Sequence, residues 1–373
     1  MLLLTAFGHT GGIEKFNRAL LHAFSRPAIS KKMQVTAAAL YDVTADKRYT
    51  GTLAYNTGKG NRVAFVLLQL LRALRSSELV LTHLNLAPVA LAYKWLQPRK
   101  RLTVVCHGLE VFAPVTGVKK MVLQKADRIL AVSRYTRGQL VALQGIPEEK
   151  ITVFPNTLDP FFKLPQQFEK PAYLLQRYGL AANQPLLFTL TRLNSAEGYK
   201  GYDVVLQALT LLRSEGRVIT YLLAGKADET ERGRMETMIE QLGLQQQVIM
   251  PGFIADEEVT DHYLLADAYV MPSKGEGFGI VYLEAMACGL PVIAGNKDGS
   301  TEALRFGELG TLVDPDYPVA VAAAIRNVLQ QPRQPHTIQA NMLRHFSFQR
   351  FEERVERVFT SGIAKQQNAS FRN

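Results

Sequence analysis

Short apolar runs rich in β-branched residues alternate with longer helical patterns along almost the whole chain. Strands of a parallel sheet are buried on both faces, and each is joined to the next by a helix that covers the sheet. The runs are LLLTAF, MQVTAAAL, LVLTHL, RLTVVCH, RILAVS and ITVFPN, and then LLFTLTR, ITYLLAG, QVIMPGF, DAYVMPS and LPVIAG. This alternation predicts an α/β fold with two doubly wound parallel sheets.

The chain of 373 residues is too long for one ordinary core, so we expect two domains. Helical patterns cover 13–25, 61–75, 87–97 and 134–143, and later 202–215, 230–242, 256–266 and 279–288. The segment 163–185 contains three prolines and is typical of a linker. We therefore predict domains at 1–165 and 166–345, with an amphipathic helix at 346–365 that packs back on the first domain.

Composition places the chain among globular proteins, with 47% hydrophobic and 20% charged residues. The opening MLLLTAFGHTGG has only a few apolar residues and no basic segment before them, which favours a buried strand over a signal peptide. Cys106 and Cys288 lie far apart inside apolar segments and are expected to be reduced thiols. We expect a cytoplasmic protein.

The net charge of +10 is unevenly distributed. Residues 1–165 hold 23 Lys+Arg against 9 Asp+Glu, whereas the remaining residues hold 20 against 24. A basic first half suits anionic phospholipid headgroups or a lipid-diphosphate acceptor, so we expect a peripheral position on the inner face of the plasma membrane. The alternative is a solvated basic surface. Nucleic acid is not expected, since no recognition motif is present and few aromatic residues lie among the basic ones.

The richest segment is PSKGEGFGIVYLEAMACGLPVIAG, residues 272–295, where a strand, a glycine-rich turn and a helix follow one another. Glycines in such a turn let backbone N–H groups approach a ligand, and the helix adds its positive end. Glu276 precedes the helix and Glu284 lies within it. Because eight helical residues rise about 12 Å, the two carboxylates are placed to flank a sugar-diphosphate-ribose unit. The alternatives are a merely tight turn and, for Glu284, a helix-surface residue.

The E-x7-E arrangement in EGFGIVYLEAMACGLPVIAG resembles the signature of family 4 retaining glycosyltransferases with the GT-B fold. Other segments resemble that family in the same order: HTGGIEKFNRAL, VVCHGLEVF, ILAVSRYT, VFPNTLD and TLTRLNSAEGYKGYDVVLQAL. The matches cover nearly the whole chain, and their order is more specific than any one of them. The resemblance implies two Rossmann-like domains facing a cleft that binds a nucleotide sugar.

For the second domain, the resemblance implies that Arg192 and Lys200 neutralise the donor diphosphate, where charge grows as the leaving group departs. Their spacing is eight, through SAEGY, whereas many members have five. The alternative is a pair of solvated surface cations. Glu276 would contact the donor sugar and Glu284 the ribose hydroxyls. The further donor-binding residues implied are Gly277, Phe278, Gly279 and Ile280, and a base pocket is expected around Gly225, Lys226 and Phe253.

For the first domain, the resemblance implies that Gly11 and Gly12 give the opening loop room near phosphate and sugar. His107 would contact the donor sugar and stabilise charge at the reacting centre. The alternative is a buried histidine with a purely structural role. Glu110 and Asn156 either act near the acceptor or hinge or cap a local turn. Ser133 is expected to cap a helix, a structural role. His9, His83 and His262 lack metal-ligand spacing, so neither a metal nor another cofactor is expected.

The expected activity is metal-independent transfer of a hexose, with retention, from a nucleotide sugar to a saccharide or lipid-linked saccharide in polysaccharide biosynthesis. UDP-glucose is the first choice of donor and GDP-mannose the second. The alternatives are a GT-B phosphorylase or epimerase and a non-catalytic nucleotide-sugar-binding protein. A nicotinamide dehydrogenase is disfavoured, because no G-x-G-x-x-G follows the first strand.

Overall fold

The computed structural model describes residues 1–8 and 10–370, with side chains as far as residue 360. The chain forms two compact units, which we call unit 1 (residues 1–161 with the chain from Phe346 onward) and unit 2 (Phe162–His345). His9, for which no metal-ligand role is expected, lies outside the described residues. So do the side chains of 361–365 in the predicted closing helix.

Unit 1 is built on a seven-stranded parallel sheet. Its strands are β1 (Leu2–Leu3), β2 (Thr36–Ala39), β3 (Ala54–Thr57), β4 (Glu78–Leu81), β5 (Arg101–Cys106), β6 (Arg128–Ala131) and β7 (Ile151–Val153). Their order across the sheet is β3-β2-β1-β4-β5-β6-β7. The chain therefore winds outward from β1 in one direction and then in the other, as the apolar alternation predicted. Only the edge strand β3 was not predicted.

Helices cover the sheet of unit 1. They are α1 (Gly12–Ser25), α2 (Pro27–Ser30), α3 (Lys47–Thr50), α4 (Arg62–Ala73), α5 (Ala87–Leu96), α6 (Gly117–Lys125) and α7 (Arg134–Ala142). Side-chain caps fix some of the starts: Asn61 accepts from the Ala64 N–H at 3.1 Å, and Ser133 accepts from the Thr136 N–H at 3.0 Å. The capping role predicted for Ser133 is confirmed.

Unit 2 contains a six-stranded parallel sheet in the order β10-β9-β8-β11-β12-β13. Its strands are β8 (Leu186–Leu190), β9 (Thr220–Ala224), β10 (Val248–Gly252), β11 (Ala268–Met271), β12 (Val292–Gly295) and β13 (Thr311–Val313). The first five were predicted, and β13 was missed because TLV is short. The direction of winding reverses between β8 and β11, which is where ligands bind in open sheets of this kind.

The helices of unit 2 are α8 (Ala172–Tyr178), α9 (Tyr202–Ser214), α10 (Glu229–Gln241), α11 (Val259–Leu265), α12 (Ile280–Ala287), α13 (Ser300–Ala303), α14 (Pro318–Gln330) and α15 (Pro335–Phe346). The prediction of a linker throughout 163–185 was wrong, because α8 lies inside it. Pro171 precedes the first turn, where its missing N–H costs nothing, and Gly179 ends the helix in the left-handed region at φ +63°.

The chain closes with α16 (Phe348–Ser370), which packs on α1 within unit 1. Two aromatic contacts join the helices: the ring centroids of Phe16 and Phe351 lie 5.8 Å apart, and those of Phe24 and Phe359 lie 5.1 Å apart. None of the described helices combines the length and the apolar character needed to cross a membrane.

Candidate functional site

A glycine-rich turn follows β11 and leads into α12. Gly275 passes so close to Tyr199 that a Cβ there would lie 2.6 Å from its ring, and Gly279 has φ +89°. Neither position accepts a larger residue without a shift of its surroundings. The helix begins only at Ile280. Glu276 precedes the helix and Glu284 lies within it, as predicted; only the four rises from Ile280 to Glu284 are helical, so the rise of eight helical residues does not describe their separation.

The backbone of Glu276 is fastened to the loop after β12. The Glu276 N–H donates to Asp298 Oδ2 at 2.7 Å, and the Gly299 N–H donates to the Glu276 carbonyl at 2.8 Å. The other carboxylate oxygen of Asp298 accepts from the Ser300 N–H at 2.9 Å. One buried carboxylate thus holds the glycine-rich turn against the start of α13.

Lys200 and Glu276 form an ion pair at this turn. Glu197 extends it: its carboxylate lies 3.9 Å from Lys200 Nζ and 2.8 Å from an Arg192 guanidinium nitrogen. The side chains of Lys200 and Glu276 are 11% and 15% exposed, whereas that of Arg192 is 68% exposed. Lys200 is therefore held in place by its neighbours, and Arg192 reaches into solvent, where a ligand can meet it.

Burial shifts the pKa values of two groups at this site, Asp298 and Tyr199. It raises the pKa of Asp298 to about 6, although the N–H groups of Glu276 and Ser300 favour the charged form. Burial also raises the pKa of Tyr199, and the nearby carboxylates of Glu197 and Glu276 raise it further. The Tyr199 ring lies beside Lys200 Nζ, 5.0 Å from the nitrogen to the ring centroid. The site therefore offers two cations and a neutral aromatic platform, chemistry that suits a phosphorylated sugar.

Glu284 lies one turn into α12 and is buried. The hydroxyl of Tyr263, on α11, donates to its Oε2 at 3.2 Å. The surface-residue alternative for Glu284 was therefore wrong.

A separate small cavity of about 200 Å³ opens at the carboxyl ends of β9 and β10. Gly225, Lys226 and Phe253, the three residues expected around a base pocket, all line it, together with Arg232. Gly225 has φ +137°, and a Cβ there would lie 1.6 Å from the Thr191 carbonyl oxygen. Phe253 is exposed, so its ring is free to stack on a planar ligand.

In unit 1, Gly11 caps α1 and Gly12 is its first residue. The preceding loop is held by Asp42, a fully buried residue. Its carboxylate accepts from the N–H groups of Ala6 at 3.0 Å and Gly8 at 3.1 Å, and from the Tyr55 hydroxyl at 2.5 Å. The backbone of residues 6–8 is thus held by one buried carboxylate.

His107 directly follows β5, and its Nε2 lies 2.9 Å from the Thr82 carbonyl oxygen. A carbonyl only accepts, so Nε2 carries the proton and Nδ1 keeps its lone pair. Burial lowers the pKa of His107 to about 4, against the raising effect of that hydrogen bond. The ring is therefore neutral at physiological pH and brings no positive charge to its surroundings.

A cavity of about 800 Å³ with apolar walls lies entirely in unit 1. Its polar lining includes Arg62, Asn85, Glu110 and Lys119, and its walls include Phe65 and Val66. Glu110 also accepts from the His107 N–H at 2.5 Å, so it both stabilises the local turn and faces the cavity. Asn156 is buried outside this cavity. Within the described residues, no group of three His, Cys, Asp or Glu side chains is placed to bind a metal ion.

Two family comparisons decide the affiliation. Residues 10–161 match Glycosyltransferase Family 4, and residues 175–344 match Glycosyl transferases group 1. The chain belongs to the family 4 glycosyltransferases.

Relatives within this family include a GDP-mannose-dependent alpha-(1-6)-phosphatidylinositol monomannoside mannosyltransferase of Mycolicibacterium smegmatis, 32% identical over 245 residues (63% of this chain and 62% of that protein). A D-inositol 3-phosphate glycosyltransferase of Catenulispora acidiphila is 29% identical over 254 residues (66% and 59%). The chain thus spans about three-fifths of the length of these curated relatives.

Solved structures establish the fold of this family member as GT-B. Anabaena HepE, in complex with UDP and glucose, superposes with a TM-score of 0.75 at 21% identity, covering 96% of this chain and 99% of that one. Sucrose-phosphate synthase from Thermosynechococcus elongatus gives a TM-score of 0.75 at 20% identity, covering 98% and 99%.

Of the residues predicted for this family 4 site, the structure brings Lys200 together with Glu276, and links Arg192 to them through Glu197. It collects Gly225, Lys226 and Phe253 at another place. Sequence reasoning missed Glu197 and Asp298. The Asp-Gly-Ser sequence at 298–300, typical of a helix start, was the one available signal for Asp298.

Proposed function

We propose that this chain transfers a hexosyl group from a nucleotide-sugar donor to a hydroxyl of a saccharide or lipid-linked saccharide, in polysaccharide biosynthesis. The observation that carries the proposal is the grouping of Arg192, Glu197, Lys200 and Glu276. A donor diphosphate takes the charge of Lys200 and Arg192, and the carboxylate of Glu276, freed from Lys200, accepts hydrogen bonds from sugar hydroxyls.

GDP-mannose is the donor we now place first, and UDP-glucose the second. The sequence alone favoured the reverse order. The relative named for GDP-mannose is 32% identical to this chain, whereas the structure containing UDP and glucose is 21% identical. The small cavity at Gly225 and Phe253 is the proposed base pocket, and Glu284 the proposed ribose ligand.

The proposed chemistry is attack by the acceptor hydroxyl on the face that the diphosphate leaves, which retains the configuration. The departing phosphate accepts the hydroxyl proton as the new glycosidic bond forms. Lys200 and Arg192 stabilise the charge that develops on the diphosphate, a role that needs no metal ion in this proposal. A neutral His107 suits a reacting carbon that gains positive character, because it adds no repelling charge.

The acceptor is proposed to occupy the 800 Å³ cavity of unit 1. Its apolar walls with a few polar groups are typical of a ligand site. Arg62 and Lys119 supply positive charge for a phosphorylated acceptor, and Glu110 accepts from a hydroxyl. The basic first half of the chain supports an acceptor linked to lipid, met at an anionic membrane surface.

The test is a thermal-shift series with GDP-mannose, UDP-glucose, UDP-galactose and free nucleotides. Stabilisation follows RT ln(1 + [L]/Kd), so the cognate donor gives the largest rise in Tm. Lys200→Ala is expected to abolish the rise, whereas Arg326→Ala, which removes an exposed pair with Glu215, is expected to keep it. If no nucleotide sugar raises Tm, or if Lys200→Ala responds as the parent does, the proposal is wrong.

A further inference from the structure

Helix α4 presents apolar side chains to solvent. Val63, Leu67 and Leu71 are 72%, 61% and 64% exposed. The same helix buries Phe65, Gln69 and Ala73 on its inner face. A helix on the surface of a globular protein normally turns charged and polar residues outward. In α4, the outward face is apolar as well.

The exposed residues form one stripe. Val63, Leu67 and Leu71 follow one another at intervals of four, so they lie along the same side of the helix. Leu68 widens the stripe and is also exposed. Scattered apolar residues on a surface need no explanation, but a continuous stripe marks a surface that is covered in use.

The charged residues around α4 indicate what covers the apolar stripe. The chain has no Asp or Glu between Asp46 and Glu78, a stretch that contains the whole of α4. Basic residues lie at both ends of the helix: Lys59 and Arg62 before the stripe, and Arg72 and Arg75 after it. An apolar stripe bounded by cations and free of carboxylates is complementary to an anionic lipid surface.

A second cavity adds to the positive charge. It holds about 960 Å³, lies at the amino ends of the strands of unit 1, and is lined in part by Arg72 and Arg75 of α4 and its C-terminal end. Its other cations are Lys32, Arg99 and Arg101, and among the described residues that line it Glu78 alone is acidic. Lys32 pairs with Glu356 and Arg101 with Glu78, and the other three cations, Arg72, Arg75 and Arg99, suit phosphate groups of lipid heads. Arg62, Phe65 and Val66 of the same helix line the proposed acceptor cavity.

We infer that α4 lies in the interface of an anionic bilayer, with Val63, Leu67, Leu68 and Leu71 among the acyl chains and the flanking arginines on the headgroups. This deepens the proposed function and rests on it in one respect: the acceptor cavity then lies beside the membrane that supplies a lipid-linked acceptor. The bilayer contact itself follows from the exposed stripe and its charge.

Vesicle sedimentation tests the contact. We expect the full chain to sediment with phosphatidylcholine vesicles containing about a third phosphatidylglycerol, and far less with phosphatidylcholine alone. Leu67→Gln/Leu71→Gln is expected to weaken binding about tenfold or more, because two leucines no longer enter the apolar layer. The matched control is Val218→Gln/Val319→Gln in unit 2, where the parent side chains are 61% and 69% exposed. It should bind as the parent does.

A fluorescence measurement locates the contact. The chain has one tryptophan, Trp95, so Trp95→Phe/Leu67→Trp carries its only indole on α4. Its emission is expected to shift to shorter wavelength with anionic vesicles and to be quenched by brominated lipid chains. Trp95→Phe/Val319→Trp, with the indole on α14, should show neither change.

Three outcomes would overturn the inference: equal vesicle binding by the two double variants, no spectral shift at position 67, or a dimer in the absence of lipid that Leu67→Gln/Leu71→Gln dissociates. The last would show that a second copy covers α4. Circular dichroism and Tm establish that each variant is folded. Donor-induced thermal shifts are measured on the same variants, so a failure of the proposed function (no shift in the parent) is distinguished from a failure of the membrane contact.

Discussion

The ammonium of Lys200 is paired with the carboxylate of Glu276 across 76 residues of sequence, and both groups are largely buried. A buried pair of this kind is costly to break on one side only, because the remaining charge has lost its water and has no partner. In this pair, the cation is the group proposed to receive the diphosphate, and the anion the group proposed to receive the sugar. The ligand-free site therefore satisfies its own charges.

A double-mutant cycle measures this coupling. Lys200→Met is expected to lower the free energy of unfolding by roughly 2–4 kcal/mol, since Glu276 is left without its cation. Lys200→Met/Glu276→Gln should recover part of that loss, because no uncompensated charge remains. Urea unfolding of the parent, of Lys200→Met, of Glu276→Gln and of the double variant gives the four free energies of unfolding. Additive losses would show that the two side chains are not coupled.

The raised pKa of Asp298 makes the free energy of unfolding depend on pH, and the direction of the dependence follows from the shift. Its pKa is raised to about 6 in the folded chain from an ordinary 3.8, so between these values the folded state holds a proton that the unfolded state has released. The contribution of Asp298 to stability is therefore present below about pH 4, is lost as the pH rises to about 6, and is constant above that. The loss amounts to roughly 3 kcal/mol, at 1.36 kcal/mol per pKa unit.

Asp298→Asn should remove this contribution. Its free energy of unfolding, measured by denaturant titration from pH 4 to pH 7, is expected to fall less steeply with pH than that of the parent. Its amide oxygen still accepts one of the two backbone N–H groups, so the variant should fold. Parallel curves for the two proteins would contradict the assignment.

His107 is expected to remain neutral throughout the physiological range. Its folded pKa of about 4 lies below the ordinary 6.5, so on acidification the unfolded chain takes up a proton before the folded chain does. Stability contributed by this residue is present above pH 6.5 and declines as the pH falls towards 4. Long-range 15N correlation spectra, assigned with His107→Gln, should show a neutral ring protonated at Nε2 at pH 6. A charged ring at that pH would contradict this.

Two glycine-to-alanine changes should have opposite effects. Gly225→Ala places a Cβ 1.6 Å from the Thr191 carbonyl oxygen in a backbone at φ +137°, so we expect a loss of at least about 3 kcal/mol. Gly233 lies inside α10, and a Cβ added there would meet nothing within 4 Å, so Gly233→Ala should stabilise by about 0.5–1 kcal/mol. Differential scanning calorimetry gives both shifts. A neutral Gly225→Ala would show that the turn at the proposed base pocket tolerates rearrangement.

The parallel sheets could be predicted because strands buried on both faces consist of consecutive apolar residues, such as Val104 and Val105 of β5. The edge strand β3 has no such run: AYNT is half polar and none of it is buried, so periodicity alone gives no signal. In 163–185 the three prolines predict a break in regular structure, although Pro171 lies at the start of a helix.

The glycine-rich turn was predictable because its geometry is determined by the local sequence. Gly279, for example, precedes the first residue of α12 and has a positive φ. Glu197 and Asp298 were missed for the opposite reason. Their importance comes from partners elsewhere in the chain: Asp298 meets the N–H of Glu276 22 residues away, and Glu197 lies between Arg192 and Lys200 only once the SAEGY segment has turned. Such contacts appear only when strand ends are brought together by the sheet.

The bond between Asp298 and the turn at Glu276 also bears on how this chain can change over evolutionary time. Two loops from neighbouring strands, β11 and β12, share a single carboxylate, and Gly299 approaches Gly277 so closely that a Cβ would lie 2.0 Å from its carbonyl oxygen. A lengthened or altered loop on one strand therefore requires a matching alteration on the other. If this turn contacts the donor sugar as proposed, a change of sugar preference requires paired substitutions, and single ones at 275–277 or 297–299 are expected to be poor routes to a new specificity.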